Sequence, residues 1–113
     1  LPAEGEHPVP VKVVKITLNT KLTCTLYIGR EYGGIPTSPF HNPFHIGKDG
    51  TRAEVIAKFA AYWYDPEQWK LRHMADITID DNEILGCWCR PEFCHGDIIA
   101  GYLNWRRQEA TLW

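Results

Sequence analysis

Residues Leu85-Gly86-Cys87-Trp88-Cys89-Arg90-Pro91-Glu92-Phe93-Cys94-His95-Gly96-Asp97 gather three of the four cysteines and one of the five histidines of a 113-residue chain. The approach to this stretch, Glu83 to Cys89, reads as the end of a buried strand. Pro91 sits in a turn, and Gly96-Asp97 opens a helical pattern of Ile98, Ile99, Tyr102 and Leu103. A strand that stops, turns and launches a helix is where open α/β sheets place ligand crevices, because helix-start N–H groups are unpaired and strand-end side chains converge. The stretch predicts an α/β domain, a small mixed sheet of three to five strands with helices packed on it and a Rossmann-like tendency. The crevice falls at the C-terminal ends of the strands that finish near Ile28 and Trp88.

Working outward, Val9 to Leu18 alternates as a strand, with Val9, Val11 and Val13 on one face and Val14, Ile16 and Leu18 on the other after a slip near Val13-Val14 that suggests a bulge. Thr23 to Ile28 is β-branched and aromatic, a second strand closed by Gly29-Arg30, with Cys24 as a packed thiol inside it. Glu31 to Gly50 is too rich in glycine, proline and histidine for a regular element and too long for a plain connection. Its His41 and His45 are candidate ligands or bases. Thr51 and Glu54 form a capping box that starts a helix with the stripe Val55, Ile56, Phe59, Ala60 and Trp63. Asp65-Pro66 ends it and caps a second short helix, with Gln68 completing a weaker box and Trp69, Leu71 and Met74 expected in the core. Ile77-Thr78-Ile79 and Glu83 to Trp88 flank the turn residues Asp80-Asp81-Asn82, which suggests a short hairpin. The last helix is expected to run to about Gln108, with Arg106 and Arg107 near its C-terminus for the dipole.

This length suits one domain with a single core, taken as residues 9–113 behind a flexible segment at 1–8. Twelve basic against fourteen acidic residues leave a net charge of −2, so charge gives no support to nucleic-acid binding. No apolar run approaches a membrane span and the N-terminus has no signal-peptide pattern. Cysteines crowded at Cys87, Cys89 and Cys94 fit reduced thiols better than a disulfide framework, which points to the cytoplasm.

Three chemistries compete for the organising stretch. Cys87, Cys89, Cys94 and His95 make a complete donor set for Zn²⁺, although C-x-C-x4-C-H is not the usual knuckle spacing and His41 or His45 could replace a ligand. Alternatively, Cys94 at a helix N-terminus is a nucleophile whose thiolate the N–H groups stabilise, with His95 or a loop histidine as base. The third reading packs the thiols as core. Phosphate-loop, dinucleotide-binding, serine-elbow and metalloprotease motifs are absent from the sequence.

The series Tyr27-Ile28-Gly29-Arg30, Asn42-Pro43-Phe44 with Ile46-Gly47, Asp49-Gly50-Thr51-Arg52, and Cys87-Trp88-Cys89-Arg90-Pro91 with Cys94-His95-Gly96-Asp97 resembles the family called domain of unknown function 4326, common in bacteriophages and bacteria. The likeness spans Val11 to about Tyr102. It implies that Gly29, Arg30, Asn42, Cys87, Cys89, Cys94, His95 and Asp97 belong to one site. The chain departs from the pattern at His41, where the family often has a small residue, and at Gly33-Gly34, which lengthens the loop.

The expected function is binding of a small anionic, nucleotide-like ligand. Arg30 pairs with its phosphate or carboxylate while Gly29, Asn42 and Gly96 shape the site. Cys94, His95 and Asp97 carry any catalysis, with zinc in support. The alternative is a metal-stabilised, non-enzymatic module that docks on a host protein through Trp105 or Trp113.

Overall fold

The computed structural model describes residues 10–16, 24–32, 34–88 and 93–111. Strands β1 (Lys12–Lys15), β2 (Leu26–Tyr27) and β3 (Ile84–Cys87) form one sheet in the order β1-β3-β2, and β3 is parallel to both neighbours. Helices α1 (Arg52–Tyr64), α2 (Trp69–Thr78, entered through a 3-10 turn at Pro66–Gln68) and α3 (His95–Thr111) complete a small α/β domain. No helix among the described residues is long and apolar enough to cross a membrane. The expected flexible segment 1–8 and the outer parts of the first strand, Val9 and Leu18, lie outside the described residues.

Parallel neighbours need a crossover, and the loop after β2 with α1 and α2 supplies the one that leads into β3. The β1 ladder runs Lys12↔Ile84, Val13↔Leu85, Val14↔Gly86 and Lys15↔Cys87 without interruption, so the expected bulge does not form. Apolar residues stand on both faces of β1, where Val13 and Val14 are each half-buried. Val13 meets the first turn of α3 near Gly96, while Ile16 lies with Cys24 against the opposite side of Gly86. At the β1 edge, Asn104 of α3 stands in for a neighbouring strand: its Oδ1 accepts from the Val11 N–H at 2.8 Å and its Nδ2 donates to the Val11 carbonyl at 3.1 Å.

The core lies between the sheet and the helices. Val11, Ile28, Leu85 and Cys87 meet Phe59 and Trp63 of α1, Ala75 of α2 and Ile99, Ala100 and Leu103 of α3. The capping box is formed as expected, with Thr51 Oγ1 accepting from the Glu54 N–H at 3.2 Å and Glu54 Oε1 accepting from the Thr51 N–H at 3.0 Å. Val55, Ile56, Phe59 and Trp63 are buried, and Ala60 is half-buried.

The segment between α1 and β3 departs most from expectation. Ile77 and Thr78 belong to α2 and Ile79 caps it, so no hairpin pairs with β3 and the sheet is all parallel. The helical period Leu71-Ala75-Ile79 overrides the β-branched pair, because Ala75 and Ile79 bury completely while Ile77 is 69% exposed. The same register turns Trp69 (57% exposed) and Met74 outward and leaves only Leu71 of the three expected core residues half-buried. Asp65 caps the 3-10 turn by accepting from the Glu67 N–H at 2.8 Å, and the Gln68 side chain makes no cap bond. Asn82 turns the chain into β3 with φ of 71°. Arg106 and Arg107 serve α2 rather than the end of their own helix. Arg106 pairs with Asp76 at 3.2 Å, while Arg107 pairs with Asp81 at 3.0 Å and donates to the carbonyls of Asp76 and Ile79.

Candidate functional site

The end of β3 and the start of α3 bring three donor groups together. The ligand atoms of Cys87, Cys94 and His95 lie within 4.8 Å of one another, and the three residues are 1%, 0% and 8% exposed. Cys87 is the last residue of β3, and Cys94 immediately precedes α3. The Cys94 N–H donates to Asp97 Oδ2 at 2.8 Å and the Asp97 N–H donates to the Cys94 carbonyl at 3.0 Å, which fixes the first turn. Gly96 lets that turn sit flush on the sheet: a Cβ there would stand 2.7 Å from Ile28 Cδ1 and 3.0 Å from Val13 Cγ1.

Hydrogen bonding favours a thiolate at Cys94. The Cys87 thiol holds the Cys94 thiol below its ordinary value, burial and the Asp97 carboxylate act against that, and the N–H groups of Gly96 and Asp97 assist it. His95 is pushed down to about 4, first by burial; the backbone of Ile28 and Phe40 opposes this, and the charges of Arg30 and His41 add to it. The imidazole is therefore neutral near pH 7. Its Nε2 lies 2.8 Å from the Ile28 carbonyl, which can only accept, and the backbone of Phe40 also bonds the ring. Phe59 meets the ring edge-on at 5.1 Å between centroids. A buried Cys-Cys-His group so oriented could hold a metal ion.

This group forms the floor of a cavity of about 440 Å³ at the C-terminal ends of β2 and β3. One wall is aromatic: Trp88 meets Tyr32 at 4.7 Å and Tyr27 edge-on at 6.4 Å. Trp88 Nε1 donates to Tyr27 Oη at 2.7 Å, and that hydroxyl donates to the Arg30 carbonyl. The lining is also basic, with Arg30, Arg52 and His45 against the single acid Glu31. Arg30 Nη2 donates to the carbonyls of Asn42 and Phe44 at 2.7 and 2.6 Å, fastening the long loop to the end of β2. Asn42 Oδ1 accepts from the Phe44 N–H at 2.9 Å, an Asx turn that shapes the same bend. Arg52 makes no hydrogen bond or ion pair among the described residues.

Of the residues singled out from the sequence, Gly29, Arg30, Asn42, Cys87, Cys94 and His95 line this one cavity. Gly96 lies beneath it as the close contact of α3 with the sheet, and Asp97 stands behind Cys94 as its helix cap. Cys89 and Trp113 lie outside the described residues, and Trp105 is 62% exposed on α3. His45 reaches the cavity rim, whereas His41 turns its Nδ1 to the Ser38 carbonyl at 2.8 Å and is not part of the lining. Cys24 packs against Gly86 on the other face of the sheet. Sequence reasoning missed the cavity-lining position of Arg52, Trp88 and Tyr32. One signal for Arg52 was available: a cation in the first turn of a helix opposes the dipole and needs another reason to be there.

Fold and site thus define a small parallel α/β domain with a Cys/His-floored cavity at its strand ends. Residues 11–105 match the family model described as domain of unknown function (DUF4326), and the chain belongs to that family. No curated protein and no solved structure matches it.

Proposed function

We propose that this domain binds a small nucleotide-like anion in the cavity, and that the Cys87-Cys94-His95 floor holds a zinc ion beneath it. The observation that carries the reading is the sharing of one cavity by buried thiol and imidazole groups and by two guanidinium side chains. Arg52 and Arg30 supply charge for a phosphate or carboxylate, and the volume lies within the ~300–1,000 Å³ usual for small-molecule sites.

The floor fits the metal by its own chemistry. In a tetrahedral site with ~2.3 Å Zn–S bonds the ligand atoms stand ~3.5–3.8 Å apart, within reach of a group already inside 4.8 Å. The bond of His95 Nε2 to the Ile28 carbonyl orients the ring beside the two thiols, as a backbone partner does for a ligating imidazole. Zinc bound by three protein groups would offer an open position for water or ligand. In the metal-free protein Cys94, its thiol lowered by the neighbouring Cys87, is the group that carries chemistry, with Asp97 as a positioning residue behind it. Origin in a bacteriophage or bacterium and action in a reducing compartment accord with the family and with paired thiols.

Elemental analysis of the purified protein tests the floor: about one zinc per chain is expected, lost in Cys87→Ser and Cys94→Ser. Zinc-free protein that keeps its fold and refuses added zinc refutes it. NMR titration with nucleoside 5′-monophosphates tests the cavity through the amides of Gly29, Arg30 and Asn42. Shifts there that weaken in Arg52→Gln are expected, and their absence refutes the ligand.

A further inference from the structure

The aromatic wall has properties that general packing does not require. Trp88 is half-buried, yet its only polar group is satisfied within the protein by Tyr27 Oη, so what it presents to the cavity is carbon. The edge contact from Tyr27 and the bond at Nε1 fix the plane of the indole. Tyr32 stands 4.7 Å from it between centroids at 54° while remaining 51% exposed, held in place by its bridge to Ile35. The two rings are thus in contact with each other and give the cavity a continuous aromatic lining, which it shares with Arg30 and Arg52. An exposed tyrosine and a rigid indole face are costly as plain surface but suit a planar ring, since base-on-aromatic contact tolerates any base.

We infer that the contiguous Trp88–Tyr32 surface is a ring-stacking subsite, and that the ligand is a mononucleotide whose base lies against that surface while its phosphate meets Arg52 and Arg30. The inference rests on the ligand site proposed above and adds the part of the ligand that decides its affinity. A cavity of about 440 Å³ is near the lower end of small-molecule sites, which suits one nucleotide rather than two joined. Arg30 and Tyr32 both follow β2, Trp88 follows β3 and Arg52 opens α1, so ring and charged groups line one cavity together with Cys87, Cys94 and His95.

The test is calorimetric titration of the intact chain with the four common nucleoside 5′-monophosphates and with ribose 5-phosphate. At least one nucleotide is expected to bind about tenfold or more tightly than ribose 5-phosphate. Trp88→Leu should bring that nucleotide down to the level of the sugar phosphate without changing the sugar phosphate itself. Tyr32→Ala, at an exposed position that leaves the fold intact, should give a smaller loss in the same direction. Arg52→Gln should weaken both ligands. Saturation-transfer NMR should place the strongest contacts on the base protons. Ribose 5-phosphate binding as tightly as every nucleotide, with Tyr32→Ala and Trp88→Leu inert, overturns the stacking subsite while leaving the anion site standing. Failure of all five ligands to bind overturns both.

Discussion

His95 makes the stability of this domain depend on acid in a calculable way. The imidazole is held at about 4 in the folded chain against 6.5 for the free side chain, because burial disfavours its charged form. Between those two values the unfolded chain binds the proton and the folded chain does not. The contribution of His95 is therefore complete above 6.5 and is lost as pH falls toward 4. Integrating the linkage from pH 7 to pH 5 gives a loss of about 2 kcal/mol, and about 3 kcal/mol once pH is below both values. The interval from 7 to 5 lies above the depressed carboxyls of Asp49 and Glu54, which start from 3.8 and 4.5 and titrate lower still, and a variant that lacks the imidazole separates His95 from the other four histidines. The assay is urea unfolding at both pH values in the presence of a chelator, on wild type and His95→Gln. Glutamine keeps an N–H for the Ile28 carbonyl but does not titrate. Wild type should lose about 2 kcal/mol more than the variant between the two conditions. Equal losses in the two proteins would refute the account, whatever their absolute stabilities.

Gly86→Ala should destabilise the fold by about 1–2 kcal/mol in urea unfolding. Its Cβ would stand 2.5 Å from Cys24 Sγ and 2.9 Å from Ile16 Cγ2, and overpacking of this kind outweighs the modest gain from replacing glycine. Arg107→Ala should cost about 2 kcal/mol by leaving the last carbonyls of α2 and the Asp81 carboxylate unpartnered, and hydrogen exchange should speed up first in α2. In zinc-free protein, Cys94 should ionise below an ordinary thiol, as followed by its ¹³Cβ shift against pH, and Cys87→Ala should move that transition upward; an unmoved transition would show that the neighbouring thiol has no part in it. Thr51→Ala should cost about 1 kcal/mol by opening the capping box of α1, with Glu54→Ala falling in the same range.

Features written in local chemistry were legible in the sequence. The Thr51–Glu54 box marked the start of α1 to the residue, and the start of α3 was readable from Gly96-Asp97 and the apolar period behind them, while the turn expected at Pro91 lies outside the described residues. Cys87, Cys94 and His95 were legible as a group because a strand end and a helix start must approach each other there. Features decided by tertiary cover were not. Ile77-Thr78-Ile79 has strand composition, yet burial of Ala75 and Ile79 against the core selects a helix. Trp69 and Met74 looked like core from their type alone, and nothing in their spacing declared that α2 would turn them outward. Arg106 and Arg107 were assigned to their own helix, because contact with Asp76 and Asp81 of a preceding segment leaves no trace in local pattern. The aromatic wall was invisible for the same reason, since Tyr32 and Trp88 come from segments that meet only in the folded chain.

Arg30 holds the long loop through Nη2 and lines the cavity as well, so the outline and the charge of the lining are inherited together at that position. A lineage that altered it would change the outline of the mouth as well as its charge and would need matching changes between Asn42 and Phe44. Arg52 carries no such double duty. The charge of the lining can change there, one residue at a time, while the frame around the pocket stays as it is.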